Sequence, residues 1–350
     1  LNTIIFMKIL AIDIGAGTQD ILFYDDEKEL ENSIKLVLPS PPVIIVEKIK
    51  EQTAKGNNIY FDGTIMGGGK IKSAIIAHIE NGYKIVMEKQ PARTIKDDLK
   101  VVEDLGVEIV DNGSFLKDSK YSNYYKINLI DVNIEQITST ISEYDINFKF
   151  DKIAVAAQDH GFSEKMGDRD FRFEKIKEKL SYPMHVEEFA FDGNVPDYFS
   201  RMKAIEESLF GLNPIIMDSK FASICGACFD PEISHLNSFV VMDIGNGHTM
   251  AASIEDGKIQ GVFEHHTSSL SPEKIEKLVQ RLVDGTITHK EVHDDHGHGA
   301  HVVNPISTLE KVIVTGPKRK IIEKTNLAYY NASPGGDVMM TGPVGLIKAV

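Results

Sequence analysis

The sequence contains no tryptophan and only two cysteines, Cys225 and Cys228. This pair cannot provide the disulfide framework of a small secreted protein, and such cysteine usage is typical of a reducing compartment. Apolar runs of the length that crosses a bilayer as a helix are also missing from the sequence. We therefore expect a cytoplasmic protein.

Positive charge is scarce as well. The chain has 38 Lys and Arg against 52 Asp and Glu, a formal net charge of -14 at pH 7. This balance argues against general binding to nucleic acid or to anionic membranes, which require basic surface. An acidic protein can still bind a nucleotide, because a few backbone amides and a divalent cation are enough locally. The 350 residues suffice for two domains, each with its own core.

The first residues, LNTIIFMKILAIDIG, do not have the pattern of a signal peptide. Lys8 interrupts the apolar stretch and Asp13 ends it, and the stretch merges into the first core strand. Met7 is a candidate start, which would make residues 1–6 an upstream extension.

The most informative stretch is Ile9–Tyr24, ILAIDIGAGTQDILFY. An apolar strand ends at Asp13 and is followed by a turn rich in glycine and then by the β-prone run Ile21–Tyr24. A dinucleotide-binding unit would continue from the turn into a helix and would carry a third glycine. The pattern here instead predicts a β-hairpin.

The same pattern returns at Phe239–Lys258, FVVMDIGNGHTMAASIEDGK. Similarity over so wide a separation indicates a duplicated domain rather than a short-period repeat. Each copy places a carboxylate, Asp13 or Asp243, at a strand end beside a glycine-rich hairpin whose backbone N–H groups can approach phosphate. Two such hairpins that face each other across a cleft could bind a polyphosphate and its metal.

These motifs resemble those of the actin, Hsp70 and sugar-kinase superfamily. DIGAGTQD at 13–20 is similar to its first phosphate motif and DIGNGHT at 243–249 to its second. The segment 217–227 resembles its connecting helix, with small residues for close packing, and 311–316 its adenosine-binding strand and turn. The whole sequence further resembles an uncharacterised family that is sometimes labelled as pyruvate formate-lyase activating enzymes.

The resemblance implies an α/β fold of duplicated actin-like (ribonuclease H-like) domains around a central cleft. We expect the domains at residues 1–212 and 213–350, with insertions in the first and the C-terminal segment closing the second. The resemblance also implies ATP and Mg²⁺ as ligands, with Asp13 orienting the metal and Asp243 positioning the metal or the attacking water. The residues expected to contact the nucleotide are Gly15, Gly17, Thr18, Gly245, Asn246, Gly247, Thr249 and Gly316.

Between the two hairpins the pattern alternates in the manner of an α/β protein. It predicts strands at 59–65, 83–87, 107–110 and 152–157, and helices at 71–79, 92–105, 134–144 and 202–210. The stretch 43–53 fits either a strand or a helix. The run GGGK at 67–70 is not a Walker motif, but a glycine-rich turn before a helix can bind an anion.

The strand 152–157 is followed by Gln158-Asp159-His160-Gly161 at the edge where open α/β sheets bind ligands. The run loosely resembles a Gln-x-His-Gly sugar-contacting motif of some carbohydrate kinases. We interpret Asp159 as a candidate general base, and His160, Gly161 and His248 as candidate substrate contacts. The alternative is an ordinary turn that an aspartate caps.

The stretch 289–301 holds five of the chain's 12 histidines. His293, His296 and His298 are candidate ligands of a transition metal, since imidazole and carboxylate suit Zn²⁺, Ni²⁺, Mn²⁺ or Fe²⁺. No HExxH signature is present. The histidines could instead contact phosphate or an acidic substrate, or lie on an exposed loop without a ligand.

The activating-enzyme label conflicts with the cysteines. Activating enzymes of the radical type hold a [4Fe–4S] cluster through three cysteines in a CxxxCxxC run, whereas this chain has one CxxC pair on the expected connecting helix. The leading hypothesis is thus an ATP-binding phosphotransferase or ATPase acting on a small molecule. The alternatives are a non-catalytic nucleotide- or partner-binding protein and a metal-dependent enzyme that uses the histidine stretch.

Overall fold

The computed structural model describes residues 7–350. The predicted upstream extension at residues 1–6 lies outside this range. No helix within residues 7–350 combines the length and apolarity needed to cross a membrane.

The strands of residues 7–350 form three sheets. They are β1 (Lys8–Ile14), β2 (Thr18–Asp25), β3 (Ile34–Pro39), β4 (Ile59–Gly63), β5 (Ile85–Glu88), β6 (Glu108–Val110), β7 (Tyr125–Leu129), β8 (Lys152–Ala157), β9 (Met184–His185), β10 (Phe191–Asp192), β11 (Ile215–Met217), β12 (Ser238–Ile244), β13 (His248–Glu255), β14 (Lys258–His266), β15 (Gly299–Val302), β16 (Val312–Thr315) and β17 (Tyr329–Asn331).

Helices cover the faces of these sheets. They are α1 (Pro41–Lys55), α2 (Ile71–Glu80), α3 (Lys89–Ala92), α4 (Leu99–Glu103), α5 (Ser114–Lys117), α6 (Ile134–Ser142), α7 (Asp168–Lys179), α8 (Ser200–Ser208), α9 (Ser219–Cys228), α10 (Pro272–Val283), α11 (His289–Asp294) and α12 (Thr341–Ala349).

The two larger sheets repeat one topology. In the first, β1, β2 and β3 form an antiparallel meander, and β8 and β11 continue the sheet parallel to β1. In the second, β12, β13 and β14 form the meander, and β16 and β17 continue parallel to β12. Both predicted hairpins are therefore confirmed, and the chain has the duplicated actin-like α/β fold.

The central strands are buried on both faces, which explains their nearly continuous apolar sequence. In β1, Ile9 and Ala11 pack into the core between the two large sheets, whereas Leu10 and Ile12 pack into a second core on the outer face of the first sheet. This alternation follows from the two-residue period of a strand.

Helices α9 and α12 cross between the large sheets with their backbones in contact. A Cβ added to Gly226 would overlap the carbonyl oxygen of Thr341, and one added to Gly345 would overlap that of Ala222. Only glycine permits this approach. The small residues predicted for the connecting helix are thus explained by its contact with α12.

The third sheet is an insertion between β3 and β8. Its strands are all parallel in the order β6-β5-β4-β7, and they enclose a core of their own with α1 and α2. The ambiguous stretch 43–53 lies in α1, which begins with two prolines, as the first turn of a helix permits.

Two predicted elements differ from the structure. The helix expected at 92–105 is wrong, because α3 ends at Ala92 and α4 begins only at Leu99. Asp98 starts the second helix by accepting a hydrogen bond from the N–H of Lys100, which favours a new N-terminus over a continuous helix. The histidine stretch, expected as a loop, is largely α11 and β15.

The expected domain division at residue 212 stays a prediction. Strand β11 follows that residue but pairs with β8 in the first sheet. Helix α12, expected to close the second domain, packs against α9 and against β1 and β8 of the first sheet. Its apolar residues Val344 and Leu346 belong to the core that the two large sheets share.

Candidate active site

A cleft of about 490 Å³ opens between the two large sheets. The turn of each β-hairpin lines it from one side, and the first residues of α9 form its base. The insertion adds the glycine turn 67–69 and the turn 93–97. Predicted site residues from four separate parts of the sequence, 13–18, 159–161, 243–248 and 316, therefore meet in one cavity.

Two carboxylates of the first hairpin lie opposite each other. Asp13 of β1 pairs in register with Asp20 of β2, and both are almost fully buried. One oxygen of each, Oδ1, has no hydrogen-bond partner among residues 7–350. Burial raises the pKa of Asp13 to about 7, with Asp243 adding to the rise. Burial and the charge of Asp13 raise the pKa of Asp20 to about 8.

These raised pKa values predict a pH-dependent stability for the metal-free protein. The unfolded chain releases the Asp20 proton near pH 4, but the folded chain keeps it until about pH 8. The free energy of unfolding should therefore fall as the pH rises from 5 to 8. Asp20→Asn should remove part of this slope, so that its stability relative to wild type grows by roughly 1–3 kcal/mol over that range.

Urea unfolding at several pH values, followed by circular dichroism, measures this slope. Asp256→Asn is a matched control, since Asp256 is exposed in the turn between β13 and β14. Parallel pH profiles for wild type and Asp20→Asn would contradict the prediction.

The second hairpin carries a buried ion pair. Lys220 Nζ lies 2.7 Å from Asp243 Oδ2 and donates to the carbonyl oxygen of His248 at 2.8 Å. Gly316 has a φ of +90° and its added Cβ would lie 2.5 Å from Asp243 Oδ1, so a side chain there would displace the carboxylate. The sequence reasoning missed Lys220, although a lysine at the start of a helix rich in small residues was a usable signal.

Most predicted nucleotide contacts line the cleft, with one exception. The backbones of Gly15, Gly17, Gly245 and Gly247 face it. Thr249 does not, because its side chain is buried and its hydroxyl lies 2.9 Å from that of Thr267.

The loop after β8 is held by Asp159. One oxygen of this carboxylate accepts the N–H of Gly161 at 2.8 Å, and the other accepts those of Arg201 and Met202 at 2.9 and 3.0 Å. Burial raises its pKa, and these hydrogen bonds oppose the rise. These contacts match the alternative interpretation, in which Asp159 caps an ordinary turn. The role of Asp159 as a general base stays a prediction. His160 and Gly161 line the cleft.

Two arginines, Arg172 fully buried and Arg201 partly buried, connect parts of the site that are distant in sequence. Arg172 of α7 donates to Asp218, which caps α9, and to Glu264 of β14, at 2.8 and 2.6 Å. Arg201 forms a two-point ion pair with Asp131. Sequence reasoning found neither arginine, because the partners lie 46 to 92 positions away and no short-range spacing joins them.

The histidines divide into separate groups. His298 lies beside His160, with the two Nε2 atoms 3.0 Å apart, and beside His248, with ring centroids 4.7 Å apart. His293 is placed elsewhere, with its Nε2 3.3 Å from Asp170 Oδ1. His296 has a φ of +65° in the turn after α11. The structure thus joins His298 to two histidines of the cleft wall instead of the two neighbours in sequence that were predicted.

Residues 66–321 match the family described as "Putative pyruvate format-lyase activating enzyme (DUF1786)". The chain belongs to this family. No curated protein matches the chain.

Several solved structures are similar to this chain at low sequence identity. The ethanolamine utilization protein EutJ from Carboxydothermus hydrogenoformans has 12% identity and a TM-score of 0.28 over 98% of this chain and 89% of its own. A protein from Listeria monocytogenes described as "a putative N-acetylmannosamine kinase" has 10% identity and a TM-score of 0.36 over 98% of both chains. A Bacteroides thetaiotaomicron protein "with actin-like ATPase fold and unknown function" has 10% identity and a TM-score of 0.37 over 97% and 95%.

The cysteines of this family member do not fit an iron–sulfur cluster. Both lie on α9, where Cys225 is fully buried and Cys228 partly buried in the packed core. Burial raises the pKa of both thiols, whereas cluster ligands are thiolates. A CxxxCxxC run would also need a third cysteine, which the sequence lacks. The pair is a packing feature of the helix.

Proposed function

We propose that the protein binds Mg·ATP in the cleft and transfers its terminal phosphoryl group to a small molecule. The observation that carries this proposal is the buried carboxylate of Asp13, whose Oδ1 has no hydrogen-bond partner among residues 7–350, beside two glycine-rich turns. A buried carboxylate oxygen without a partner is costly, and a cation relieves that cost. Mg²⁺ prefers carboxylate and water oxygens.

The phosphate groups fit between the hairpin turns. Gly15 and Gly17 on one side and Gly245 and Gly247 on the other present backbone to the cleft, where N–H groups can approach phosphate oxygens. The turns are close, since a Cβ added to Gly17 would lie 3.3 Å from Asn246 Nδ2. Lys220 supplies positive charge at the base of the cleft.

The protein would contribute position and charge to the reaction. Phosphoryl transfer depends on alignment of the acceptor and on neutralisation of the charge of the transferred group. Asp13 would hold the metal through water, and the Asp243–Lys220 pair would fix a second carboxylate across the cleft. The acceptor would contact His160 and Gly161. We place the activity in the cytoplasm, where ATP is available and free cysteines persist.

Calorimetric titration of Mg·ATP into metal-stripped protein tests the proposal. Wild type should bind with micromolar affinity, and Asp13→Asn should bind roughly 100-fold more weakly, because it loses a charged contact to the metal shell. Asp256→Asn, at an exposed turn, should bind as wild type does. The proposal fails if wild type does not bind or if Asp13→Asn binds equally well.

Turnover separates transfer from binding alone. A screen of small hydroxyl compounds with ATP, read by ADP release, should identify an acceptor. ATP binding without ADP release for any acceptor would favour the non-catalytic nucleotide-binding alternative.

A further inference from the structure

Three histidines from distant parts of the chain meet at the wall of the cleft. His160 follows β8 of the first sheet, His248 begins β13, and His298 immediately precedes β15. Their donor nitrogens lie within 4.8 Å of one another. His160 and His248 line the cleft, whereas His298 is buried behind them.

We propose that His160, His248 and His298 bind a divalent first-row transition metal, for which Zn²⁺ is the best match, with a coordination position open to the cleft. Nothing in the proposed Mg·ATP function requires this metal. Three protein ligands with one open position are the arrangement of catalytic rather than structural zinc sites. The open position would take an oxygen of water or of a ligand in the cleft.

The spacing of the imidazoles supports this assignment. Two nitrogens bound to a tetrahedral Zn²⁺ at about 2.0–2.1 Å lie roughly 3.3–3.4 Å apart. The Nε2 atoms of His160 and His298 are already 3.0 Å apart. The ligand nitrogens of all three histidines lie within 4.8 Å of one another, so a small side-chain movement would bring them to metal-binding distances.

The carboxylates beside the histidines favour a cation, whereas the nearby charges of Arg172 and Lys220 oppose one. One guanidinium, that of Arg172, is shared by two carboxylates, those of Asp218 and Glu264, so this buried group has a net charge of -1. The fully buried Glu264 interacts electrostatically with all three histidines. A divalent cation at the histidines would compensate that charge.

The hydrogen bond between two of the imidazoles indicates how they would bind. One Nε2–H donates to the other Nε2 at 3.0 Å between His160 and His298, so both rings direct this nitrogen to one point. Coordination through both atoms would place that proton on Nδ1 of its ring instead, which leaves each Nε2 with a lone pair for the metal.

Cobalt titration of the full chain tests the site. After removal of metals with EDTA, Co²⁺ should bind with one ion per chain and give the intense visible absorption of a tetrahedral site, and Zn²⁺ should displace it. His160→Gln and His298→Gln should each weaken binding by more than about 100-fold, since loss of even an outer-shell partner costs 10- to 100-fold. Using both variants guards against misfolding of either one, which circular dichroism would reveal.

Two controls separate this site from its rivals. His293→Gln alters the same histidine-rich stretch but contacts Asp170 instead, so it should leave Co²⁺ binding unchanged. Asp13→Asn should bind Mg·ATP much more weakly yet bind Co²⁺ as wild type does. Failure of one proposal can therefore be distinguished from failure of the other. The inference is overturned if wild type binds no Co²⁺, if both folded glutamine variants bind it normally, or if His293→Gln abolishes binding.

Discussion

Gly345→Val should lower the free energy of unfolding by about 4 kcal/mol or more, a large part of the 5–15 kcal/mol typical of a domain. The added side chain would overlap the carbonyl oxygen of Ala222 on α9, and a backbone atom cannot move aside by changing its rotamer. The two helices would have to separate, which would open the core between the large sheets. Urea unfolding by circular dichroism, together with the yield of folded protein, measures the effect.

Gly247→Ala is the matched control for this substitution. A Cβ at Gly247 would meet no atom within 4 Å, so the stability should change by less than about 0.5 kcal/mol. Gly226→Ala should resemble Gly345→Val, because its Cβ would overlap the carbonyl oxygen of Thr341. Cooperative unfolding of Gly345→Val within 1 kcal/mol of wild type would show that the helices can separate without cost.

Arg172→Met should lower the free energy of unfolding at pH 7 by about 3–5 kcal/mol, as expected when one partner of a buried ion pair is removed. The substitution would leave Asp218 and Glu264 without their counter-charge, and Glu264 is fully buried. Arg172 holds the pKa of Glu264 at about 2. Without it that pKa rises, so the deficit of Arg172→Met should shrink as the pH is lowered towards 4.

Two further variants test this explanation. Lys175→Met removes a cation of the same helix whose partner, Glu178, is exposed, and it should cost less than about 1 kcal/mol. Arg172→Met combined with Glu264→Gln should be more stable than Arg172→Met alone. If the deficit of Arg172→Met does not depend on pH, lost packing rather than orphaned charge is its cause.

The sequence predicted those features that depend on neighbours along the chain. The hairpins at Asp13 and Asp243 could be identified because strand, glycine turn and second strand are contiguous and because the pattern occurs twice. The packing role of Gly226 followed from the small residues around it. The partner helix α12 could not be predicted, since nothing in the local sequence shows that residues 341–349 return to the first sheet.

The parts of the site that were missed depend on long-range contacts. Glu264 meets Arg172 across 92 positions and His298 meets His160 across 138. The density of histidines at 289–301 indicated metal chemistry, but density alone does not show which rings converge. His293 and His298 are five positions apart, yet α11 ends between them and β15 begins after them, so the two side chains belong to different surroundings.

The insertion has its own hydrophobic core, separate from the cores of the two large sheets. Its contribution to the cleft comes from two turns, and the turn at Gly67 is tied down because Asp131 accepts both its N–H and the guanidinium of Arg201. Packing changes within residues 59–129 can therefore accumulate without disturbing the phosphate hairpins. Such a division allows the insertion and the phosphate hairpins to diverge at different rates during evolution. The insertion can change what the cleft admits while the hairpins preserve the chemistry.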